Sequence, residues 1–140
     1  MIKKCIIVAF LVMISCRHAD EFKKIREGNF DIVEKDTYRG TPVYMGQGGD
    51  YKELVTSLRL DIEKNIDLLP FITKNFFSVE YELSYRFKFA AVDREKSCLI
   101  LRYFARIPDH PLYAGYQIQF VFDMHTKKLL KVFTAEVPLE

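Results

Sequence analysis

The sequence predicts an α+β fold in which one long amphipathic helix packs on a curved, four-stranded antiparallel meander. Three observations carry this prediction. Apolar residues recur every three or four positions from Tyr51 to Leu69, which is the period of a helix with one buried face. Apolar and polar residues then alternate from Phe77 to Ala91, which is the period of a half-buried strand. Further strand-like runs follow with short turns between them, and this order favours an antiparallel meander.

The N-terminus has the order of residues that is typical of a secretory signal peptide. Lys3 and Lys4 precede an uncharged run from Cys5 to Cys16, and the small residue Ser15 lies directly before that cysteine. As a helix this run would reach about 18 Å, whereas the hydrocarbon core of a bilayer is about 30 Å thick. The run is therefore too short for a membrane span, and we expect residues 1–15 to be a cleaved signal.

The last four residues of this segment, Met13-Ile14-Ser15-Cys16, resemble the lipobox of bacterial lipoproteins. The resemblance implies that Cys16 is lipidated, with palmitate among its acyl chains, and that the lipid anchors the protein in the cell envelope. Arg17 rather than Asp follows the cysteine, and in the family this favours the outer membrane, with the domain in the periplasm, where a cell has two membranes. The alternative is an ordinary signal peptide that is cut nearby.

The composition of the mature chain argues against a nucleic-acid partner. Cleavage removes two of the 21 Lys and Arg residues and none of the 19 acids, so the charges balance. Nucleic-acid-binding domains usually carry a basic excess. If Cys16 carries lipid, Cys98 has no disulfide partner, and its place in an apolar run indicates a small buried side chain.

Residues 16–48 are expected to form an N-terminal tether. A short amphipathic helix is predicted over 17–28, with Phe22 and Ile25 as its apolar face. Two short runs, 30–33 and 41–45, indicate edge strands on either side of a turn, because Pro42 excludes a central strand.

Residues 49–140 form the predicted α+β domain. Asp50 with Glu53 fits a capping-box start for the long helix, and Pro70 is expected to end it. In the first strand the odd-numbered residues are expected to point inward, and its length requires a bend or a bulge. The other predicted strands cover residues 97–107, 116–122 and 129–137.

The order of these elements resembles that of the cystatin-like and nuclear-transport-factor-2-like (NTF2-like) α+β folds. The resemblance lies in element order alone, and these folds host unrelated functions. It implies a pocket between helix and sheet, for which the candidate lining residues are Tyr81, Tyr85, Tyr103 and Tyr116.

The sequence contains no recognisable catalytic or metal-binding motif. His18, His110 and His125 lack the spacing of metal ligands. The glycine-rich segment 46–49 lacks the Lys-Ser/Thr ending of a phosphate loop. We therefore expect no enzymatic activity, no metal and no cofactor.

One surface of the predicted sheet is a candidate docking patch. Its members alternate along the outward face of the first two strands: Arg86, Lys88, Arg102, Phe104 and Arg106. Arginine and aromatic side chains are enriched in protein interfaces. A solvated face with ion pairs to Glu80 and Glu82 is the alternative.

Together these features favour a membrane-anchored envelope lipoprotein whose domain binds a protein or another envelope component. Two alternatives stay open, namely an NTF2-like enzyme or small-molecule binder, and a periplasmic immunity protein that neutralises a toxin. A deep pocket with convergent polar groups favours the small-molecule binder. A full core with an exposed arginine-aromatic patch favours a protein partner.

Overall fold

A computed structural model describes residues 18–43, 49–79, 82–108 and 115–137. The predicted signal peptide and Cys16 lie outside these ranges. The described residues form these helices and strands: α1 (Ala19–Glu27), β1 (Ile32–Glu34), β2 (Thr41–Val43), α2 (Gly49–Lys64), α3 (Leu68–Phe77), β3 (Ser84–Asp93), β4 (Cys98–Arg106), β5 (Gly115–Asp123) and β6 (Leu129–Val137). None of these helices is both long enough and apolar enough to cross a membrane. The predicted α+β class is confirmed.

The strands form one open mixed sheet in the order β1-β6-β5-β4-β3-β2. The predicted antiparallel meander is present as β3 to β6. The expected strand count of four is wrong, because β1 and β2 extend the sheet. β1 pairs parallel with β6, and β2, which contains Pro42, pairs antiparallel with β3. The two short strands therefore lie at opposite edges and do not pair with each other.

The predicted long helix is two helices. α2 ends at Lys64 and α3 begins at Leu68, and the turn between them is closed by a hydrogen bond from Leu68 N–H to Asn65 O of 2.9 Å. Ile66 lies in this turn and is 82% exposed, although its spacing placed it on the apolar face. Pro70 does not end a helix. It occupies the first turn of α3, where a missing N–H is tolerated.

The first long strand starts later than predicted and reverses its inward face. Phe77 ends α3, and β3 begins only at Ser84. The pairing of β3 with β4 shifts register between Phe87 and Phe89. Before this bulge Phe87 packs on the helix-covered side, whereas Phe89 and Ala91 after it pack on the opposite side. The prediction that all odd positions point inward is therefore wrong beyond Phe87, since a bulge adds one residue to the alternation.

The hydrophobic core lies between the helices and one face of the sheet. Each helix contributes buried side chains, among them Phe22 and Ile25 of α1, and the central strands contribute Leu101 and Phe120. The short helix that was expected in a tether thus belongs to the folded domain. Because Phe22 and Ile25 are buried in the core, the folded domain includes α1.

The opposite face of the sheet, called the far face below, is crossed by a strap of residues 35–40. The strap connects β1 at one edge to β2 at the other. Adjacent strands are about 4.8 Å apart, so the edges are separated by about 24 Å. The seven Cα steps from Glu34 to Thr41 reach at most about 25 Å when extended. The strap must therefore run nearly straight across the far face.

Polar contacts fix the strap to the strands that it crosses. Asp36 N–H donates to Thr134 O of β6 at 3.2 Å. The side chain of Gln119 in β5 accepts from Tyr38 N–H at 2.7 Å and donates to Tyr38 O at 2.9 Å. Gln119 is 1% exposed, so the strap is held by a buried amide that has both of its bonds to one residue. The Tyr38 hydroxyl donates to Asp93 at the end of β3.

Candidate functional site

The residues of the predicted docking patch lie around one groove on the far face. Arg86 and Lys88 are on β3, and Arg102, Phe104 and Arg106 are on β4. They line a cavity of about 490 Å³, to which β5 and β6 add Gln117 and Val137. Neither Gln117 nor Val137 belonged to the patch that the sequence predicted.

The groove lies at one end of the far face. We call this the groove end, where Ser84 and Arg106 pair and Gly115 pairs with Val137. The strap runs toward the other end, because Tyr38 binds Asp93 and a Cβ added at Gly40 would lie 3.1 Å from the Ile100 side chain and 3.2 Å from Val92 O. No residue of the strap lines the cavity, and the strap meets its edge where Gln117 donates to the Thr37 hydroxyl at 3.0 Å.

Arg102 is the most enclosed cation of the groove. Its guanidinium carbon lies 4.4 Å from the centre of the Phe89 ring. Burial lowers the pKa of this guanidinium, and its Nε has no hydrogen-bond partner within the described ranges. Arginine nevertheless stays charged at neutral pH. Arg102 is therefore a half-buried cation whose Nε is enclosed and unpaired among the described residues.

Phe104 forms the floor of the groove. Its ring is buried, and the ammonium of Lys88 lies 5.6 Å from the ring centre. The ring packs against Gly115 of β5, where an added Cβ would come within 2.8 Å of a ring carbon. Glycine at this position thus allows the aromatic floor to lie close to the sheet.

Three cations of the groove have no carboxylate partner among the salt bridges of the described residues. No salt bridge in the described ranges joins Arg86, Lys88 or Arg102 to a carboxylate. Glu82 takes part in none of those salt bridges, and Glu80 lies outside the described residues. The groove is therefore a concentrated positive surface over an apolar floor.

A second, smaller cavity lies between the helices and the sheet. It measures about 220 Å³ and is lined by Tyr85, Phe87 and Tyr103 together with residues of α2 and α3. Tyr103 is 1% exposed, burial raises the pKa of its phenol, and its hydroxyl has no hydrogen-bond partner among the described residues. Cavities that bind drug-sized molecules usually measure 300–1,000 Å³. This one is below that range.

Of the other two candidate pocket tyrosines, Tyr116 does not line this cavity. Tyr116 stacks on Phe77 with ring centres 4.3 Å apart. Tyr81 lies outside the described residues. The polar hydroxyls that the structure brings to the cavity are those of Tyr85 and Tyr103, and Tyr85 is already paired with Thr73 at 2.7 Å.

The histidines occupy three unrelated positions. His18 is buried beside α2 and the β5–β6 turn, His125 is exposed in that turn, and His110 lies outside the described residues. No cluster of metal-ligating side chains occurs in the ranges that the structure describes. Cys98 is buried, and burial raises the pKa of its thiol.

No protein-family model, curated protein or solved structure matches this chain. Function is therefore inferred from geometry and charge.

Proposed function

We propose that this chain is an envelope lipoprotein, anchored by lipid on Cys16, whose domain binds an acidic segment of a partner protein in the far-face groove. The domain acts by binding and not by catalysis. The observation that carries the proposal is the groove itself, in which Arg86, Lys88, Arg102 and Arg106 surround the buried ring of Phe104.

The chemistry of the groove suits carboxylates. Arginine presents paired N–H donors that match the two oxygens of a carboxylate, and such charge-assisted bonds are stronger than neutral ones. Partial desolvation of Arg102 strengthens its attraction for an anion. Because these cations lie on paired strands, little backbone ordering is needed when the partner binds.

The alternatives weighed on the sequence differ in their support. A periplasmic immunity protein would use the same groove, with an acidic toxin as its partner. An NTF2-like enzyme or small-molecule binder would use the cavity beside Tyr103. That cavity has one unpaired hydroxyl among the described residues and a volume of about 220 Å³. These features support a small-molecule binder less than the groove supports a protein partner.

The lipid anchor is tested by metabolic labelling with palmitate. We expect Cys16→Ala to abolish the label. The matched control is Cys98→Ala, which removes the other cysteine of the mature chain and leaves the label in place. Undiminished labelling of Cys16→Ala contradicts the anchor.

The docking groove is tested by charge reversal and capture from solubilised envelope. Arg86→Glu combined with Lys88→Glu should abolish capture of a stoichiometric partner, because both side chains are exposed at the groove. The control is Lys52→Glu with Lys74→Glu, which makes the same charge change on exposed helix positions. Equal capture by both double variants contradicts a role for the groove.

A further inference from the structure

The start of the domain is fixed to one end of the sheet by a buried histidine. His18 is 3% exposed, and its Nδ1 lies 2.7 Å from Asp61 Oδ2 of α2. Its Nε2 lies 2.9 Å from Lys127 O in the β5–β6 turn. The imidazole also packs on the Phe122 ring, with ring centres 5.4 Å apart. The chain therefore enters the fold at this end of the sheet, which lies opposite the groove end.

Very little chain separates His18 from the proposed lipid. Arg17 is the one residue between Cys16 and His18. Two Cα steps reach at most about 7 Å. The headgroup layer on each side of a bilayer is itself about 5–7 Å thick. A domain that begins at His18 cannot be held clear of the membrane surface by so short a connection.

We infer that the lipid anchor holds this end of the sheet directly against the lipid headgroups. The inference rests on the proposed lipidation of Cys16 and adds to it a contact surface and an orientation. The contact surface, here called the turn end, consists of the β3–β4 turn (94–97) and the β5–β6 turn (124–128). The two turns are joined by a hydrogen bond from Met124 N–H to Ser97 O of 2.9 Å.

The turn end has side chains that suit a headgroup layer. Its cations are Arg94, Lys96, Lys127 and Lys128. Glu95 is exposed beside them, whereas the carboxylates of Asp93 and Asp123 accept hydrogen bonds from residues 96, 125 and 126 within the turns. The lysine and arginine side chains are long enough to reach lipid phosphates. Because positive and negative charges nearly balance at the turn end, electrostatic attraction to the lipid contributes little. The covalent anchor is therefore the main cause of the orientation.

The orientation directs the docking groove away from the membrane. β3 runs from Ser84 at the groove end to Asp93 beside the turn end. Its ten residues span about 30 Å. A sheet that stands on its turn end therefore presents the groove to the surrounding compartment, where a partner protein can reach it.

Fluorescence quenching in vesicles tests the inference on the lipidated, full-length mature protein. It is reconstituted in phosphatidylcholine–phosphatidylglycerol vesicles that contain headgroup-nitroxide lipid. Single fluorophores are attached at Thr126→Cys in the turn end or at Ser84→Cys at the groove end, both in a Cys98→Ala background. We expect several-fold stronger quenching at position 126 than at position 84. Equal quenching of vesicle-bound protein overturns the inference.

A linker insertion shows whether the short connection causes the contact. A flexible Gly/Ser segment of about ten residues, inserted between Arg17 and His18, adds a mean reach of roughly 17 Å. Quenching at position 126 should then fall to the level seen at position 84, while the protein still floats with the vesicles. Unchanged quenching overturns the inference and leaves the anchor intact. A parent protein that does not float lacks the anchor, and that result overturns the proposed lipidation as well.

Discussion

The two faces of the central sheet are built from the same strands but differ in what covers them. Three helices bury one face under a continuous apolar core. The far face is crossed by the strap, which is held by a buried amide and backbone hydrogen bonds. Its apolar cluster is small and includes Ile100, Val121 and Phe133. The difference teaches that the helix-covered face holds most of the apolar core, whereas the far face keeps a groove lined by charged side chains.

The largest difference in stability between the two faces is expected when two neighbouring residues of β4 are each replaced by alanine. Leu101 packs under the helices and Ile100 under the strap, and they are 0% and 1% exposed. We expect Leu101→Ala to lower the free energy of unfolding by about 4 kcal/mol. Ile100→Ala should lower it by about 2 kcal/mol, because the strap can move into the space more easily than packed helices can. Urea denaturation measures both, and equal losses contradict the comparison.

The next effect concerns the amide that holds the strap. Gln119→Leu leaves the partly buried N–H and C=O of Tyr38 without their partner, and we expect a loss of about 2 kcal/mol. Gln117→Leu is the matched control on the same strand, since Gln117 donates to the side chains of Thr37 and Gln119 rather than to the strap backbone. Hydrogen exchange at the Tyr38 amide should quicken in Gln119→Leu and change little in the control. Protection of that amide in both variants contradicts this role.

A smaller, pH-dependent effect is expected where the strap meets β3. The hydroxyl of Tyr38 holds the pKa of the Asp93 carboxyl below its ordinary value. A depressed carboxyl pKa stabilises the fold above the unfolded pKa of about 3.9, and this contribution is lost as pH falls through the lower, folded value. The stability deficit of Tyr38→Phe should therefore be larger at pH 7 than near pH 3.

Carboxyl NMR titration checks the cause of this effect. The Asp93 pKa should rise in Tyr38→Phe. Asp123 is the internal control, because backbone N–H groups of residues 125 and 126 lower its pKa and the substitution does not touch them. An Asp93 pKa that is the same in Tyr38→Phe as in the unsubstituted protein contradicts the assignment.

The smallest effect on stability is expected in the groove. Arg86→Glu with Lys88→Glu should change the free energy of unfolding by about 0.5 kcal/mol or less, because both side chains are exposed. The same variant is expected to lose partner capture. A stability loss comparable with that of Leu101→Ala would mean that the groove residues serve the fold and not recognition.

Local patterns in the sequence predicted the parts of the fold that local physics determines. The alternation in residues 97–107, 116–122 and 129–137 located β4, β5 and β6 to within one residue at either end. Acidic residues in the first turn, basic residues in the last turn and the apolar pair Phe22 and Ile25 located α1. Each of these signals depends on side chains a few positions apart, so one sequence is enough to reveal them.

The remaining features depend on contacts between distant residues. Gln119 binds Tyr38 across 81 positions, and only the folded sheet brings the strap over β5. The break at Asn65 leaves the helical period of the neighbouring apolar residues nearly intact, so the pattern read as one helix. The bulge between Phe87 and Phe89 leaves the alternation of apolar and polar residues in the sequence unchanged, but it reverses the face of the sheet to which each later side chain points. The sequence alone therefore does not reveal the bulge.

The shared location of the candidate patch residues was predictable for the same local reason. Arg86 precedes the shift in register and Lys88 lies within it, whereas Arg102, Phe104 and Arg106 alternate on a strand that carries no extra residue. Val137 joins them through the pairing of β5 with β6, which the sequence does not display. Lipidation of Cys16 stays a prediction from the first sixteen residues.

Site-specific photo-crosslinking in intact cells most directly tests the claim that the far face binds a partner. One crosslinking amino acid replaces Ser84, which is exposed beside the groove, and another replaces Lys74, which is exposed on the helix-covered side. We predict a discrete protein adduct at position 84 that disappears with Arg86→Glu and Lys88→Glu, and no such adduct at position 74. An adduct at position 74 alone, or one at position 84 that survives the charge reversal, would contradict the account.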